Sequence, residues 1–447
     1  MKKRLCALLF ALTSTVCHPV EPPAAESGLT PVGAVQAGNS AGTIPPWTGG
    51  ITAPPASYRP GLHETDPFPD DVPLFQITAA NAQQYAQHLT PGQRALLARY
   101  PDTWRMNVYR SRRSASYPDY VYDAIANNAG SARVILEGRG GVEGARISSP
   151  FPIPKSGVEV IWNHNLRYRG LRIDRSEGIA AVTRSGRYSL TVARQDWGIP
   201  YSAPQTTPFT QRYPNVLLAI KSKVIAPALL SGDGTLVFET INQTTDPRKS
   251  WVYPRGLRRV IRSPLFGYDI PGGNSDGLRT VDDFALYNGP PDRFDWQLIG
   301  KREIYIPYNA YRLHGPRVSD EDIVRIGHIN PDHARYELHR VWVVEGRLRE
   351  GARHIYGRRV FYVDEDSWQI AVADSYDRDG KLWRVNEAHA LNYYTVPVLW
   401  STLEVYHDLL AGRVLVNGLD NQFSAHEFLT DADPREFSPN ALIYYLR

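Results

Sequence analysis

The chain of 447 residues contains only two cysteines, Cys6 and Cys17, and both lie within its first 17 positions. That stretch has a basic head, an apolar run and then small residues, which is typical of a secretory signal peptide. Removal of residues 1–17 would leave no intramolecular disulfide, although an exported protein enters a compartment that permits one. We therefore expect the hydrophobic core to stabilise the mature protein.

Cys17 stands where an exported lipoprotein carries its lipidated cysteine. Val16 precedes it, where Gly, Ala or Ser is usual, and position 14 lacks the expected Leu. Two outcomes stay open: a soluble exported form cut near this point, or a form anchored through a lipidated Cys17.

Beyond the leader, the sequence has no apolar run that approaches the roughly 18 residues needed to span a bilayer. We expect no transmembrane span, while contact with a membrane surface stays open. An excess of charge of one sign is also lacking, because 50 Lys and Arg offset 46 Asp and Glu, and the two signs are interspersed. A nucleic-acid partner would need a concentrated basic face, so we expect none.

The spacings typical of cofactor sites are absent as well. Gly138–Gly141 lacks the Lys-Ser/Thr that follows in a phosphate-binding loop. His333 and His339 are six residues apart, which does not match a zinc pair on one helical face. We expect no cofactor and no metal.

One short motif points to catalysis. Gly273–Gly277 matches the Gly-x-Ser-x-Gly pattern of hydrolases, with Ser275 as the nucleophile. That chemistry requires a strand before the serine, but Pro271 and Gly272 stand there, so a turn explains the motif better. An exported hydrolase using Ser275 stays an alternative function.

What the sequence does contain is typical of a folded protein, with 42% hydrophobic and 11% aromatic residues. Residues 18–75 are rich in Pro and Gly and predict an extended arm wrapped on a body at 76–437, with a C-terminal tail at 438–447. Apolar periodicity and end signals predict three helices in the body, near 78–100, 157–168 and 399–411.

The rest of the body looks mainly β. Short strands rich in Val, Ile, Tyr and Trp follow one another between residues 335 and 393, separated by turn signals such as Asp379-Gly380. Such spacing predicts an antiparallel meander. A second group of strands is expected between residues 234 and 262.

Several longer segments carry a family resemblance. They are Gly38-Asn-Ser-Ala-Gly-Thr-Ile-Pro-Pro-Trp-Thr-Gly-Gly50, Leu89-Thr-Pro-Gly-Gln93, Ile161-Trp-Asn-His-Asn-Leu-Arg-Tyr-Arg-Gly170, Ser275-Asp-Gly-Leu-Arg279, Tyr305-Ile-Pro-Tyr-Asn309, Ala334-Arg-Tyr-Glu-Leu-His-Arg-Val-Trp-Val-Val-Glu345 and Phe361-Tyr-Val-Asp-Glu-Asp-Ser-Trp368. The chain strongly resembles the bacterial domain-of-unknown-function 1329 family, over roughly residues 28–437. That family is distantly similar to the LolA/LolB group of lipoprotein-sorting carriers.

The resemblance implies an α+β fold that is mainly antiparallel β, an unclosed half-barrel with helices packed on its concave face, in one or two such units. It also implies a non-enzymatic carrier or chaperone in the periplasm of a Gram-negative bacterium. Its partners would be a hydrophobic ligand, such as a lipid or a lipoprotein acyl chain, and a transporter of the resistance-nodulation-division type. A scaffold anchored at the outer membrane is the third hypothesis.

Aromatic and basic residues near the familiar segments are the candidate ligand contacts, since an apolar cavity with a few polar groups can fix a lipid head. They are Trp162, His164, Arg167, Trp251, Tyr253, Arg340, Trp342, Phe361 and Trp368. The competing interpretation for each is a structural role in the core.

Overall fold

The computed structural model describes residues 28–263 and 267–447. The predicted signal peptide and Cys17 lie outside the described residues. Between residues 28 and 74 the described part of the arm contains no helix and no strand, apart from an isolated bridge between Leu29 and Val35.

The described α-helices are α1 (Pro91–Arg99), α2 (Asp119–Ser131), α3 (Gly157–Leu166), α4 (Pro208–Arg212), α5 (Tyr311–His314), α6 (Asp320–Ile323) and α7 (Pro439–Tyr445). The strands are β1 (Phe75–Ile77), β2 (Met106–Tyr109), β3 (Arg133–Ile135), β4 (Gly141–Glu143), β5 (Arg172–Val182), β6 (Leu190–Gly198), β7 (Val216–Ala226), β8 (Gly234–Thr240), β9 (Lys249–Tyr253), β10 (Ile261–Arg262), β11 (Phe294–Pro307), β12 (Tyr336–Leu348), β13 (Arg358–Asp364), β14 (Ile370–Tyr376), β15 (Leu382–Tyr393), β16 (Val398–Asp408), β17 (Arg413–Leu419) and β18 (Glu427–Leu429). No helix in the described ranges is long and apolar enough to cross a membrane.

Sixteen of these strands form one sheet. Its order is β1-β2-β12-β13-β14-β15-β16-β17-β5-β6-β7-β8-β9-β10, with β11 also paired to β12 and β18 to β5. All pairs are antiparallel except β2 with β12, and the order does not close on itself. The predicted class, α+β with a mainly antiparallel unclosed sheet, is confirmed. Strands of both predicted β regions, 234–262 and 335–393, belong to this one sheet.

The predicted meander is confirmed as β12 to β15, each strand paired antiparallel with the next. Both faces of this part are covered. The face of Asp374 and Val385 packs against α1, while the face of Ala373 packs against Val160 and Ile161 of α3. Strands covered on both sides need apolar residues on both sides, which is why their sequences read as nearly continuous hydrophobic runs.

Residues 399–411 do not form the predicted helix. They fall mainly in β16, whose 11 residues are all buried between β15 and β17. Leu399, Leu403 and Tyr406 have helix-like spacing only because a strand buried on both faces places apolar residues at odd and even positions alike. The prediction of a helix there is wrong.

The segment near 78–100 is helical in two pieces. A 3₁₀ segment covers Ala82–His88, Leu89 is extended, and α1 then begins. Thr90 caps α1 in a capping box with Gln93, and Pro91 occupies the first turn. A cap and a proline start a helix, so the helical segment predicted near 78–100 divides at Thr90. The predicted tail contains α7, which packs with its end against β8.

The arm lies against the body. The indole of Trp368 donates to the carbonyl of Val32 (3.2 Å), and the Arg340 guanidinium donates to the carbonyl of Val35 (3.0 Å). At Gly33 (φ +87°), an added Cβ would lie 1.9 Å from the carbonyl oxygen of Pro152. Glycine is needed there because the arm backbone touches the body backbone.

Candidate functional site

A mainly apolar cavity of about 380 Å³ lies between one face of β5 to β9 and the segment 271–288, which we call the roof. Its strand-derived lining includes Ile179, Ala193, Trp197, Ile220, Ser222, Val224, Thr235, Val237 and Val252. Within each strand these positions alternate, because successive side chains of a strand point to opposite faces. The cavity is therefore the inner face of the second half of the sheet.

The roof supplies the other wall. Gly272, Arg279, Val281 and Phe284 of this segment line the cavity. The roof starts with an isolated antiparallel bridge between Pro271 and Thr280. Residues 271–280 therefore form a closed loop, and the chain crosses the sheet after this loop.

One end of the cavity is a buried polar network on β5 and β6. Arg175 lies 3.0 Å from Glu177 and donates to Gln195 (3.1 Å), and Gln195 donates to Glu177 (2.8 Å). The Arg175 guanidinium also stacks on Trp197 and Trp400, at 4.8 and 4.7 Å from the ring centroids. Burial raises the pKa of Glu177, which Arg175 opposes. Arg175 supplies the counter-charge of Glu177, although Oε2 of Glu177 has no hydrogen-bond partner.

A second satisfied group lies on β8. Glu239 pairs with Arg248 (2.6 Å) and accepts from the Asn288 amide (3.1 Å). All three side chains belong to the cavity lining. Their charges balance locally, so this pair leaves no net charge for a ligand.

Arg279 differs from these pairs. Its side chain lines the cavity and is 8% exposed, yet no carboxylate lies within ion-pair distance of it among the described residues. The guanidinium faces the rings of Phe284 and Tyr406, at 5.6 and 5.8 Å, and its Nε has no hydrogen-bond partner. Glu177 of the same cavity interacts with Arg279 electrostatically but does not form an ion pair with it. A buried cation without a direct ion-pair partner is costly, so an anion in contact with it would be stabilised.

A second cavity, of about 500 Å³, lies beside α2 and the β3–β4 hairpin. Its lining includes Asn127, Asn128, Glu143 and Arg146, and polar and apolar surface contribute in similar measure. It lacks the apolar walls that a hydrophobic ligand needs.

Of the nine sequence-predicted ligand contacts, Tyr253 lines the cavity under the roof. Trp251, two residues away on β9, packs edge-on against Phe238 at 5.7 Å. Trp251 and the other seven are outside the lining of this cavity, and their role in ligand binding stays a prediction.

Three of those seven belong to the α3 segment. Trp162 donates to the carbonyl of Gly138 (2.9 Å), and His164 lies between the backbones of Trp368 and Ala285. Burial lowers the pKa of His164 well below its usual value, and Arg167 adds to this. Arg167 follows the last residue of α3 and donates to the carbonyl of His164 (2.5 Å).

The remaining four lie on or beside β12 and β13. Arg340 pairs with Glu365 (2.7 Å), and Trp342 stacks at 6.3 Å on Trp368. Phe361 belongs with Trp368 to the buried cluster between the sheet and α3. These contacts are those of a core that joins arm, sheet and helix.

Ser275 lies in the roof, in the loop that the bridge between Pro271 and Thr280 closes. Its hydroxyl donates to the carbonyl of Gly272 (2.7 Å), and in the described parts of the chain no histidine hydrogen-bonds to it. The flanking residues Asn274 and Asp276 have φ values of +56° and +48°, so the segment is a tight loop. This is not the strand–turn–helix of a nucleophile elbow.

Sequence reasoning missed Glu177, Gln195, Glu239, Arg248 and Arg279 as cavity residues. One signal was available for β5, where Arg175 and Glu177 alternate with residues that face the other side. Arg279 closes one of the familiar segments, Ser275–Arg279, but nothing in the sequence indicates that it faces strands 40 to 100 residues earlier.

Within residues 28–263 and 267–447, two groups of side chains have the donor atoms of a metal site. The first group consists of His339, Asp364 and Asp366. Asp366 forms an ion pair with Arg113 (2.6 Å), and the ring of His339 stacks on Tyr308 with the centroids 4.0 Å apart. That group is part of an ion-pair network. The second group involves His63, His314 and Asp420.

Comparisons with known proteins give the following matches. The model of the family "protein of unknown function (DUF1329)" matches residues 76–443. An uncharacterized protein of Pseudomonas aeruginosa is 46% identical over 417 residues, which are 93% of this chain and 91% of that protein.

Solved structures match at lower identity. A DUF1329 family protein of Desulfovibrio piger is 16% identical, with a TM-score of 0.41 over 61% of this chain and 92% of that one. A Vibrio parahaemolyticus domain provisionally described as an outer membrane lipoprotein-sorting protein is 13% identical, with a TM-score of 0.44 over 64% of this chain and 98% of that one. A LolA superfamily protein of Nitrosomonas europaea is 12% identical, with a TM-score of 0.37 over 64% of this chain and 100% of that one.

Proposed function

The chain belongs to the DUF1329 family, and we propose that it is a non-enzymatic carrier that shields a single-chain amphiphile with an anionic head group. The observation that carries the proposal is Arg279, a buried cation without a carboxylate partner in the described residues, on the wall of a mainly apolar cavity. The apolar strand residues would hold the tail, and Arg279 the head.

The cavity is large enough for an acyl chain. If a methylene occupies roughly the 30 Å³ that a water molecule takes in the liquid, a cavity of about 380 Å³ holds about a dozen methylenes. That suits one medium-length acyl chain. The cavity is also open to solvent, so a longer ligand can extend out of it.

The physical basis of carriage is the removal of the tail from water. Each buried methylene contributes about 0.8 kcal/mol, so ten methylenes give about 8 kcal/mol before the costs of binding are subtracted. A charge-assisted contact to Arg279 adds about 1.5–3 kcal/mol if the head is anionic. Affinity then comes mainly from the tail and selectivity from the head.

We also propose that the protein works in the periplasm of a Gram-negative bacterium. The support is the basic and apolar leader of residues 1–17. A periplasmic carrier of amphiphiles would fit as an accessory to a transporter of the resistance-nodulation-division type. Association with the outer membrane depends on whether Cys17 is lipidated, and metabolic labelling with palmitate, compared with Cys17→Ser, tests that point.

The alternative of a hydrolase through Ser275 has less support, since the hydroxyl is engaged by a backbone carbonyl inside a loop. A scaffold role without a ligand would leave the cavity and Arg279 without a purpose. The carrier proposal accounts for both features.

The first test is native mass spectrometry, with organic extraction, of protein purified from its own periplasm. We expect an additional mass that extracts as a single-chain amphiphile. A displacement assay then compares dodecanoate with dodecanol, using a fluorescent fatty acid as the displaced probe.

The head-group contact is tested with Arg279→Gln. We expect dodecanoate to bind more tightly than dodecanol, and the variant to lose about 10- to 100-fold for dodecanoate only. The matched control is Arg194→Gln, because Arg194 is an exposed residue of β6 paired with Asp174 (2.6 Å) away from the cavity. A clean apo mass together with no displacement by either compound would refute the carrier proposal.

A further inference from the structure

Beyond the Arg175–Glu177 end of the cavity, five ionisable residues from four separate parts of the chain meet beneath the N-terminal arm. They are His63 and Glu64 of the arm, His314 at the end of α5, Asp420 after β17, and His426 before β18. We call this group the arm cluster. It plays no part in the proposed carriage of a ligand.

His314 is the centre of the arm cluster. Its Nδ1 lies 2.8 Å from Oδ2 of Asp420, and its Nε2 lies 3.0 Å from Oε2 of Glu64. The imidazole is wholly buried. A carboxylate on the far nitrogen of a histidine is the usual arrangement for orienting a metal ligand.

Two further imidazoles face the same carboxylate. One donor atom each of His63, His314 and Asp420 lies within 4.8 Å of the others, and the His63 ring is edge-on to His314 at 4.7 Å. His426 places its Nε2 3.3 Å from Oδ2 of Asp420. Ligands about 2.0–2.1 Å from a tetrahedral zinc ion are about 3.3 Å apart. The donor atoms of His63, His314 and Asp420 would therefore have to approach one another by up to about 1.5 Å. His426 lies outside that group of three and would have to move toward His63 and His314.

The cluster contains polar atoms that the protein leaves unused. Neither ring nitrogen of His426 has a hydrogen-bond partner, and Oδ1 of Asp420 has none, although both side chains are at most 1% exposed. Buried polar groups are normally paired, so these atoms call for a ligand that the residues themselves do not supply.

We propose that the arm cluster is a binding site for one divalent transition-metal ion of the zinc class. His63, His314 and Asp420 are the ligands, and His426 completes a four-coordinate set. Three imidazoles with one carboxylate favour zinc or its neighbours over calcium or magnesium, which prefer oxygen donors.

The ligands are themselves held in place. Glu64 orients His314 from its far side, and the Thr402 hydroxyl donates to Oδ2 of Asp420 (2.7 Å). His63 is only half-buried, so the ion has a path from solvent. Four protein ligands close the coordination sphere, which is typical of a structural site.

A metal ion bound at the arm cluster would link the N-terminal arm to the sheet. His63 belongs to an arm without helix or strand, whereas Asp420 ends a central strand of the sheet. A metal ion shared between them fastens the arm to the sheet, as a disulfide does in chains that have cysteines for the purpose.

The experiment uses the mature chain, stripped with chelator and titrated with Zn²⁺ and with Co²⁺. We expect one equivalent of either ion to bind, visible absorption typical of tetrahedral Co²⁺, and a rise in melting temperature that chelator reverses. Limited proteolysis should cut the arm near residue 63 more slowly in the metal-loaded form.

Two variants within the cluster and one control outside it separate metal binding from general effects on the fold. His63→Ala lies on the half-buried arm, so it carries little risk of misfolding and should lower Zn²⁺ affinity at least 10-fold. His333→Ala changes a half-buried histidine outside the cluster and should bind as the parent does. Asp420→Asn should remove the Co²⁺ absorption.

Failure of the parent chain to bind Zn²⁺ or Co²⁺ would overturn the proposal, and the cluster would then be an ion-pair network centred on His314. Binding that survives both His63→Ala and Asp420→Asn would overturn it equally. Neither result bears on dodecanoate binding, so the carrier proposal is tested separately.

Discussion

Arg359 of β13 and Asp283 of the roof form an ion pair in which both side chains are wholly buried, with Nη2 2.6 Å from Oδ1. The same guanidinium lies 2.8 Å from Asp282, and it faces the ring of Tyr287 at 5.1 Å. The pair fixes the roof to the sheet beside the cavity, so the roof keeps its position without any contact to a ligand. The position of Arg279 in turn depends on this pair.

Replacing Arg359 by glutamine should therefore destabilise the protein strongly. Removing one partner of a buried ion pair costs about 3–5 kcal/mol, because the other charge stays buried and unpaired. We expect the free energy of unfolding, measured by urea denaturation, to fall by that amount. Dodecanoate affinity should fall as well, since the roof loses its anchor.

Arg194→Gln is the control for charge removal, because its pair with Asp174 is exposed at the surface. Exposed pairs contribute about 0–1 kcal/mol. An Arg359→Gln protein as stable as this control would show that the roof is held by its apolar contacts instead.

A second prediction concerns the volume of the cavity. Val237 lines it from the middle of β8, so Val237→Phe should occupy space that the ligand tail needs. We expect dodecanoate affinity to drop at least 10-fold while the melting temperature changes little. Ile225→Phe is the matched control, because Ile225 is 46% exposed on β7 and outside the lining.

A third prediction separates two aromatic residues that the sequence marks equally. Tyr253→Ala should lower dodecanoate affinity several-fold, because its ring borders the cavity. Trp251→Ala should act mainly on stability, since its ring packs on Phe238. Calorimetric titration and thermal unfolding of the two variants check this, and equal affinity losses would place both residues at the ligand.

The sequence predicts the meander and the α3 segment because each has a local signal: turn residues such as Asp379-Gly380 between short strands for β12 to β15, and a Ser156 cap before Gly157 for α3. It does not predict β16, because a strand covered on both faces has no alternation to read. The arrangement of Leu399 and Leu403 is then equally compatible with a helix.

The residues that line the cavity could not be predicted from the sequence. Val237 and Arg279 are 42 positions apart, and Glu177 is 102 positions before Arg279, so their meeting depends on the register of five strands and on where the roof crosses them. Local patterns contain no information on either. Residues chosen for their chemistry, such as His164 and Arg340, instead join the arm and α3 to the sheet.

The last prediction concerns Glu387 on β15, which accepts from Tyr336 (2.9 Å) and Gln93 (3.3 Å) in a wholly buried position. Burial raises its pKa to about 7, with the neighbouring Asp374 adding to the rise. The folded state therefore holds a proton that the unfolded state has lost between about pH 4.5 and pH 7. Glu387 thus reduces stability as pH rises through this window, by about 3 kcal/mol at 1.36 kcal/mol per pKa unit.

Glu387→Gln keeps the shape of the side chain but cannot ionise. The free energy of unfolding of the variant minus that of the parent should increase from pH 4.5 to pH 7 and then level off. Taking the difference cancels titrating groups that do not interact with Glu387, such as His389 and His407, whose pKa values burial lowers to about 3. Burial raises the pKa of Asp374 to about 7 as well, and because Asp374 interacts with Glu387 its contribution does not cancel. A difference that is flat across this range would mean that Glu387 titrates alike in both states, and that its contacts to Tyr336 and Gln93 hold a charged carboxylate without cost.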